Sequence, residues 1–480
     1  MKRLRLVALL LPLGLGACTP LRPPPIEPLP AFEAPPQWAT PLPHGGRVAD
    51  LQAWWRQLGD PVLTRLLERA QRESPSLDAA LARLEQARAA RRSAEAALLP
   101  TLDGSAALSR GNAQPPLPLA TTAQVGVQAG WEIDLFGARR DRVDAAQARV
   151  RSAEAGWHEA RVSVAAETAA SYFRLRACEM LLGVAEADLR SRAETARLTQ
   201  LSQQAGFTPP ATAALARASR SEGEVRRAVQ RAQCETERHA LSALTGVPVA
   251  ELRADLAERQ VPVGAELFTV SALPAEVLAQ RPDLYQAEQA IEAARAEIGS
   301  AWADQYPRVT LGGSINAGLV HLRGSTTDAQ TWTLGPLAVS VPLFDAGRRA
   351  ANLDGARARY DEAVAVYRGR ARQAVSEVEQ ALVALESART RSEAVRGAAQ
   401  DFRTSFEATE ARYRAGLASL VELEDARRSL LAAETALAEL YRDLQLAWTR
   451  LYRSAGGAWQ PGTGTPLAQR SGALQPGTSP

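Results

Sequence analysis

Few residues in this chain have the types and spacing that chemistry needs. Lys2 is the only lysine among 480 residues. A Walker-type phosphate loop, whose lysine touches the nucleotide phosphates, is therefore excluded, as is Schiff-base chemistry once the first residues are removed. The four histidines, His44, His158, His239 and His321, are far apart in sequence and carry no metal spacing. Three cysteines, Cys18, Cys178 and Cys234, cannot make a local zinc site. Ser314 lacks the flanking pattern of a nucleophile elbow. The many carboxylates have no nucleophile beside them, so no catalytic residue, metal or cofactor is assigned. What remains is structural and electrostatic. Cys178 and Cys234 each lie 28 residues from Gly206, so an antiparallel helical hairpin turning at Gly206 sets them face to face, and an oxidising compartment would join them. Glu422 and Asp425 are three apart and share one helix face just after a second glycine turn, while Glu424 faces elsewhere. Gly206-Phe207 and Gly416-Leu417 mark the two turns, where positive φ costs a glycine little.

These positions need long elements to hold them, and the elements occur twice. Ser74-Pro75-Ser76-Leu77 recurs as Arg281-Pro282-Asp283-Leu284, and Leu135-Phe136 as Leu343-Phe344. Gly206 matches Gly416, Ala216-Arg217-Ala218-Ser219 matches Ala426-Arg427-Arg428-Ser429, and Gly246 matches Gly456. The offset drifts only from 207 to 210 residues, so one unit is repeated with small insertions. Each copy reads as helix, two strands, very long helix, turn, returning helix. Along the second strand, Ala123, Val125, Val127, Ala129, Trp131 and Ile133 alternate with Gln124, Gly126, Gln128, Gly130, Glu132 and Asp134. That period of two gives one apolar and one polar face. In the second copy Val309, Leu311, Ile315, Ala317 and Leu319 share a face, and a partner strand is predicted over about 331–343. The loops would hold Pro115-Pro116 and Gly324-Ser325-Thr326-Thr327. No proline interrupts the 68 residues between Gly137 and Gly206, or those between Gly347 and Gly416. Each stretch predicts a helix of about 100 Å. Val143, Ala146, Val150, Ala153, Trp157, Ala160 and Val164 step by threes and fours, as in a coiled coil.

The N-terminus carries an address. Met1–Arg5 is basic, Leu6–Leu15 is a short apolar run, and small residues precede Cys18, which makes residues 1–17 a secretory signal. Leu15-Gly16-Ala17-Cys18 resembles a bacterial lipoprotein cleavage box, which implies lipidation of Cys18 and a stable anchor. Thr19 after it leaves out the inner-membrane retention signal. Residues 18–46 form a proline-rich tether that is not expected to pack a core. The remaining division is repeat 1 over 47–247, with its strand pair in about 101–135 and hairpin in 137–246. A connector follows over 248–280. Repeat 2 covers 281–456, with strands in about 308–343 and hairpin in 347–455, and a flexible tail fills 457–480. Of the formal charge of +3, three positive charges lie in Lys2, Arg3 and Arg5. The rest is near neutral, which argues against a nucleic-acid partner.

Four strands with an apolar face cannot sit alone in a bilayer, because their edges would strand backbone groups in hydrocarbon. The sequence by itself allows two, three or more copies. Trp54-Trp55-Arg56-Gln57-Leu58-Gly59-Asp60-Pro61-Val62-Leu63, Trp131-Glu132-Ile133-Asp134-Leu135-Phe136-Gly137, Val341-Pro342-Leu343-Phe344-Asp345-Ala346-Gly347-Arg348-Arg349 and Tyr413-Arg414-Ala415-Gly416-Leu417 occur in this order. With the doubling, they make the chain resemble the outer-membrane efflux proteins of the TolC/OprM family, in its lipidated NodT-like branch, over about 50–459. The resemblance implies a mainly α fold with transmembrane β strands. It implies a homotrimer whose twelve-stranded β-barrel, four strands per chain, continues as a long periplasmic α-helical barrel. It further implies a passive exit duct for small molecules, served by a periplasmic adaptor that meets the turns at Gly206, Phe207, Gly416 and Leu417, and by an inner-membrane RND-type pump. Glu422 and Asp425 match positions that ring the closed entrance in the family. The basic residue some relatives place just after the turn is replaced by Ala418. Two other readings stay open: a type I protein-secretion duct, and a periplasmic adaptor or structural lipoprotein, the latter disfavoured by the strand pairs.

Overall fold

The computed structural model describes residues 34–40, 54–112, 119–257 and 274–459. Its elements, in chain order, are α1 (Trp54–Gln57), α2 (Pro61–Glu73), α3 (Pro75–Ala96), β1 (Thr101–Gly111), β2 (Ala120–Ile133), α4 (Ala138–Gln204), α5 (Pro210–Thr245), α6 (Val249–Ala257), α7 (Pro274–Ala279), α8 (Pro282–Ala303), β3 (Arg308–Leu322), β4 (Ser325–Ser340), α9 (Arg348–Arg414) and α10 (Leu420–Ser454). A short 3-10 turn follows at Gly456–Ala458. Two compact units share these elements. One is built on 82–154 and 285–369, the other on 32–81, 155–284 and 370 onwards.

The first unit holds the sheet, an antiparallel meander in the order β1-β2-β3-β4. Its register sets Val125 opposite Ala106 and Ala317, and Val127 opposite Ile315, so the apolar positions share one face across three strands. Trp332 joins them opposite Ile315. Leu102, Leu108, Ile315, Trp332 and Leu334 on this face are 71–83% exposed within the chain. β4 begins at Ser325 and ends at Ser340, six residues earlier and three earlier than the periodicity suggested. The loop expected at 324–327 shrinks to a tight turn. Arg323 (φ 50°) and Gly324 (φ 85°) both take the left-handed values that suit a two-residue hairpin, and the strands zip down to it. The register shift between Leu311 and Gly313 is a bulge the alternation could not reveal.

Both strand-to-helix junctions repeat one device. The Asp134 carboxylate accepts the backbone N–H of Arg139 and Arg140, and that of Asp345 accepts those of Gly347 and Arg349. A carboxylate there suits the positive end of a helix. The Arg139 guanidinium donates to the Ala97 carbonyl, and Arg349 does the same to Asp304. Further along, Ile298, Leu353 and Ala356 form a small core with Trp302 and Tyr360 at its edge, and Glu297 pairs with both Arg149 and Arg359.

The second unit holds the main core. α2 buries Val62, Leu63, Leu66, Leu67 and Ala70 along one face. Asp60 caps it, accepting from Val62 and Leu63 N–H at 3.0 and 3.1 Å, with Pro61 at the first helical position. The other Asp60 oxygen accepts the Tyr172 hydroxyl at 2.5 Å, and Arg176 Nε donates to that same hydroxyl. Burial first, and the hydrogen bond to Asp60 second, push the Tyr172 phenol far above its ordinary pKa, against the pull of Arg176. The cluster continues through Phe173, Leu241, Leu252, Leu382, Trp448 and Leu451. Burying each such side chain fully contributes about 2 kcal/mol.

Two expectations at the chain ends are corrected. Trp38 in the tether is 8% exposed and belongs to this core. The Ala39 and Thr40 N–H groups donate to the Glu379 carboxylate, so a large aromatic and two amide bonds pin a proline-rich stretch. The tail likewise packs at its start, with Trp459 7% exposed beside His158. The signal segment, Cys18, His44, Pro115-Pro116 and residues 460–480 lie outside the described residues. No helix among the described residues is long and apolar enough to cross a membrane.

Candidate functional site: the hairpin turns and the α10 start

The two helical hairpins reverse through the same geometry. After α4, Gly206 (φ 80°) donates its N–H to the Gln203 carbonyl at 2.9 Å and Phe207 to Ser202 at 2.9 Å. After α9, Gly416 (φ 75°) donates to Tyr413 at 3.0 Å and Leu417 to Arg412 at 2.8 Å. This is the glycine-dependent Schellman end of a helix, used twice. It leaves two apolar side chains in solvent, Phe207 at 85% and Leu417 at 69% exposure.

Ser419 starts α10 with a capping box. Its hydroxyl accepts the Glu422 N–H at 3.2 Å, while Glu422 Oε2 accepts the Ser419 N–H at 2.6 Å. These bonds to Ser419 hold the Glu422 carboxyl below the usual carboxylate range. Its other oxygen is 3.9 Å from the Arg412 guanidinium. Asp425 is exposed, 3.4 Å from Arg428. The two acids share the solvent side of α10, and Glu424 takes the other.

Glu424 is the larger finding here. It sits in a buried cluster that links α10 to α4 and α5. Its Oε2 accepts Arg192 NH1 at 3.0 Å, and its Oε1 accepts the Ser219 hydroxyl at 3.0 Å and the Arg427 guanidinium. Arg192 also meets both Asp188 oxygens at 2.9 Å. Arg427, 2% exposed, donates to the Ser191 and Thr195 hydroxyls and stacks over Phe406. Sequence reasoning missed this cluster. The i,i+4 pair Asp188/Arg192 and the i,i+3 pair Glu424/Arg427 look like the many solvated pairs on these helices. Only the approach of a second hairpin buries them.

Cys178 on α4 and Cys234 on α5 are joined by a disulfide, with Cα atoms 5.5 Å apart and both residues buried. Among the described residues no group of three or more metal-ligating side chains converges.

Comparison with known proteins matches this architecture in two pieces. The family model described as Outer membrane efflux protein matches residues 66–247 and 273–457, one piece per repeat. The chain is 30% identical to the solvent efflux pump outer membrane protein SrpC of Pseudomonas putida, over 95% of this chain and 98% of that one. It is equally 30% identical to outer membrane protein OprJ of Pseudomonas aeruginosa, over 95% and 96%. The solved outer-membrane channel OprN superposes with a TM-score of 0.78 at 30% identity, covering 90% of this chain and 99% of that one. With its four-stranded sheet and doubled helical hairpins, this chain belongs to the outer membrane efflux protein family, as an outer-membrane channel for efflux.

Proposed function

We propose that three copies of the chain close their sheets into one twelve-stranded barrel and work as the passive exit duct of a tripartite efflux system. The observation that carries this is the sheet itself. It exposes a face that is apolar through Leu102, Val127, Ile315, Trp332 and Leu334, with the charges Arg110 and Asp328 confined to its hairpin end, and two unpaired edges, β1 and β4, which cannot stand in hydrocarbon alone. Closure pairs every edge, turns the apolar face to lipid and leaves the polar face to water. Three is the number that the family resemblance implies. Lipid on Cys18 anchors the chain at the periplasmic face of the outer membrane. Phe207 and Leu417 are the adaptor contacts: the repeat gives each chain two apolar tips on matching turns, so a trimer offers six. Glu422 and Asp425 contribute six carboxylates around the periplasmic entrance, a ring that favours cations. An inner-membrane RND-type pump supplies the energy through the adaptor, and the duct itself catalyses nothing. The substrates are small and noxious molecules, in keeping with the solvent named for the SrpC relative.

The test is complementation. A bacterium lacking its own outer-membrane efflux channel, supplied with this chain together with its adaptor and pump, should regain resistance to dyes and solvents. A chain that inserts as a trimer, restores no resistance and instead releases a protein to the medium would replace this reading with protein secretion.

A further inference from the structure

The polar face of the sheet carries few charges, and Asp103 is the one without a partner among the described residues. The register places Asp103 opposite Gln128, Gln128 opposite Ser314 and Ser314 opposite Thr333, which makes one level across all four strands. Ser105, Gly126, Asn316 and Thr331 make the next level. These side chains are neutral. Two other charged residues on this face, Glu132 and Arg308, lie at the α4- and α8-proximal end and are already paired, with Arg139 at 2.7 Å and Asp304 at 2.9 Å. Glu132 is four residues along β2 from the level of Asp103, about 13 Å away at the rise of a strand. Asp103 is exposed, and no cation stands beside it among the described residues.

Closing the barrel does not change this. The strand that meets β1 is the β4 of the neighbouring copy, and β4, Ser325–Ser340, contains no lysine or arginine. Its side chains on the polar face are hydroxyls and small residues. We propose that Asp103 is a selectivity-determining residue: three copies form a carboxylate ring inside the barrel, separate from the periplasmic entrance, that favours positively charged solutes over anions. The proposal rests on the closed trimeric barrel argued above.

The size of the effect follows from the dimensions. Twelve strands about 4.8 Å apart and tilted about 40° give a backbone radius of about 12 Å. The carboxylates then lie about 8 Å from the axis, within the Debye length of about 10 Å at 0.1 M salt and beyond the 3 Å at 1 M. Three such charges raise cation concentration on the axis about threefold and lower that of anions by the same factor, a change of about tenfold in their ratio at 0.1 M.

The test uses Ser105→Cys, on the same face and two residues away, in the full lipidated protein. With Cys178 and Cys234 joined and Cys18 acylated, the introduced thiol is the only free one. Its rates of modification by a cationic and an anionic methanethiosulfonate are compared with and without Asp103→Asn. The ratio of cationic to anionic rate should fall several-fold in the Asp103→Asn protein at 0.1 M salt and change little at 1 M. An unchanged ratio at 0.1 M overturns the selectivity role while leaving the channel intact. A thiol at 105 that reacts with neither reagent, while Leu102→Cys does, places this face in lipid and overturns the barrel orientation as well. In planar bilayers, a Glu422→Ala/Asp425→Ala background with Asp103→Asn should show the same fall in the potassium-to-chloride permeability ratio.

Discussion

Two acids on α10, two residues apart, are predicted to respond very unequally to the same substitution. In Glu424→Gln, Arg427 loses its sole anionic partner among the described residues. It is 2% exposed, and its remaining direct partners are neutral, the hydroxyls of Ser191 and Thr195 and the ring of Phe406, with the Glu410 carboxylate one hydroxyl further on, through Ser191. Breaking a buried pair by removing one partner costs about 3–5 kcal/mol. Glutamine still accepts one hydrogen bond, and Arg192 keeps Asp188, so the lower end applies, about 3 kcal/mol. That is roughly a hundredfold in a local opening equilibrium. Glu422→Gln keeps its capping box, because an amide oxygen also accepts the Ser419 N–H. Its pair with Arg412 spans 3.9 Å between half-exposed side chains and is screened by solvent, so its loss changes little. Amide hydrogen exchange over residues 423–433, in nanodiscs at neutral pH, reads both. Protection should drop about a hundredfold in Glu424→Gln and less than about threefold in Glu422→Gln. Equal protection in the two variants would refute the claim that this cluster clamps α10 to the first hairpin.

Three further outcomes follow from the second unit. Burial first, and the nearby Arg161 second, push the pKa of His158 down to about 4. Its folded-state pKa lies below the unfolded value, so the folded form binds fewer protons, and stability should fall as pH drops from about 6.5 towards 4. His158→Phe should flatten that limb of a melting-temperature profile. Cys178→Ser/Cys234→Ser opens a loop closed across 56 residues, and denaturant unfolding should show a loss of about 2–4 kcal/mol. Gly456→Ala sets a Cβ 2.3 Å from the Gln280 carbonyl oxygen at a φ of 76°, whereas Gly246→Ala, its repeat counterpart, meets only Glu73 side-chain atoms at 3.4 Å. Thermal melts should show a loss above about 2 kcal/mol for the first and about 1 kcal/mol for the second.

The repeat, the four strands and the two long helices were legible because their signals are periodic and long. Strict alternation over β2 and proline-free runs between glycines leave little else for the chain to do. Strand ends were less legible. β4 starts at Ser325 because Arg323 and Gly324 turn tightly, and nothing in a Ser-Thr-Thr-Asp run marks whether it loops or pairs. Trp38 is hard to read from sequence because the prolines around it signal a tether, while one large aromatic is enough to pin the stretch to the core. The turn glycines are legible as glycines, and the capping box at Ser419 and Glu422 is legible too, in the pattern S-x-x-E. The ion cluster around Glu424 was not legible at all. It depends on which helix faces meet between hairpins, and helical periodicity within one segment does not contain that.

On the proposed function, copies of this chain form a conduit through the outer membrane with Glu422 and Asp425 ringing its periplasmic entrance. Single-channel recording of the purified full-length protein beside Glu422→Ala/Asp425→Ala tests it most directly. The wild type should show a small, cation-preferring conductance, and the double variant a larger conductance with weaker cation preference. Trimers of both proteins that insert and carry no current would contradict the entrance assignment, and a failure of either to insert would contradict the barrel itself.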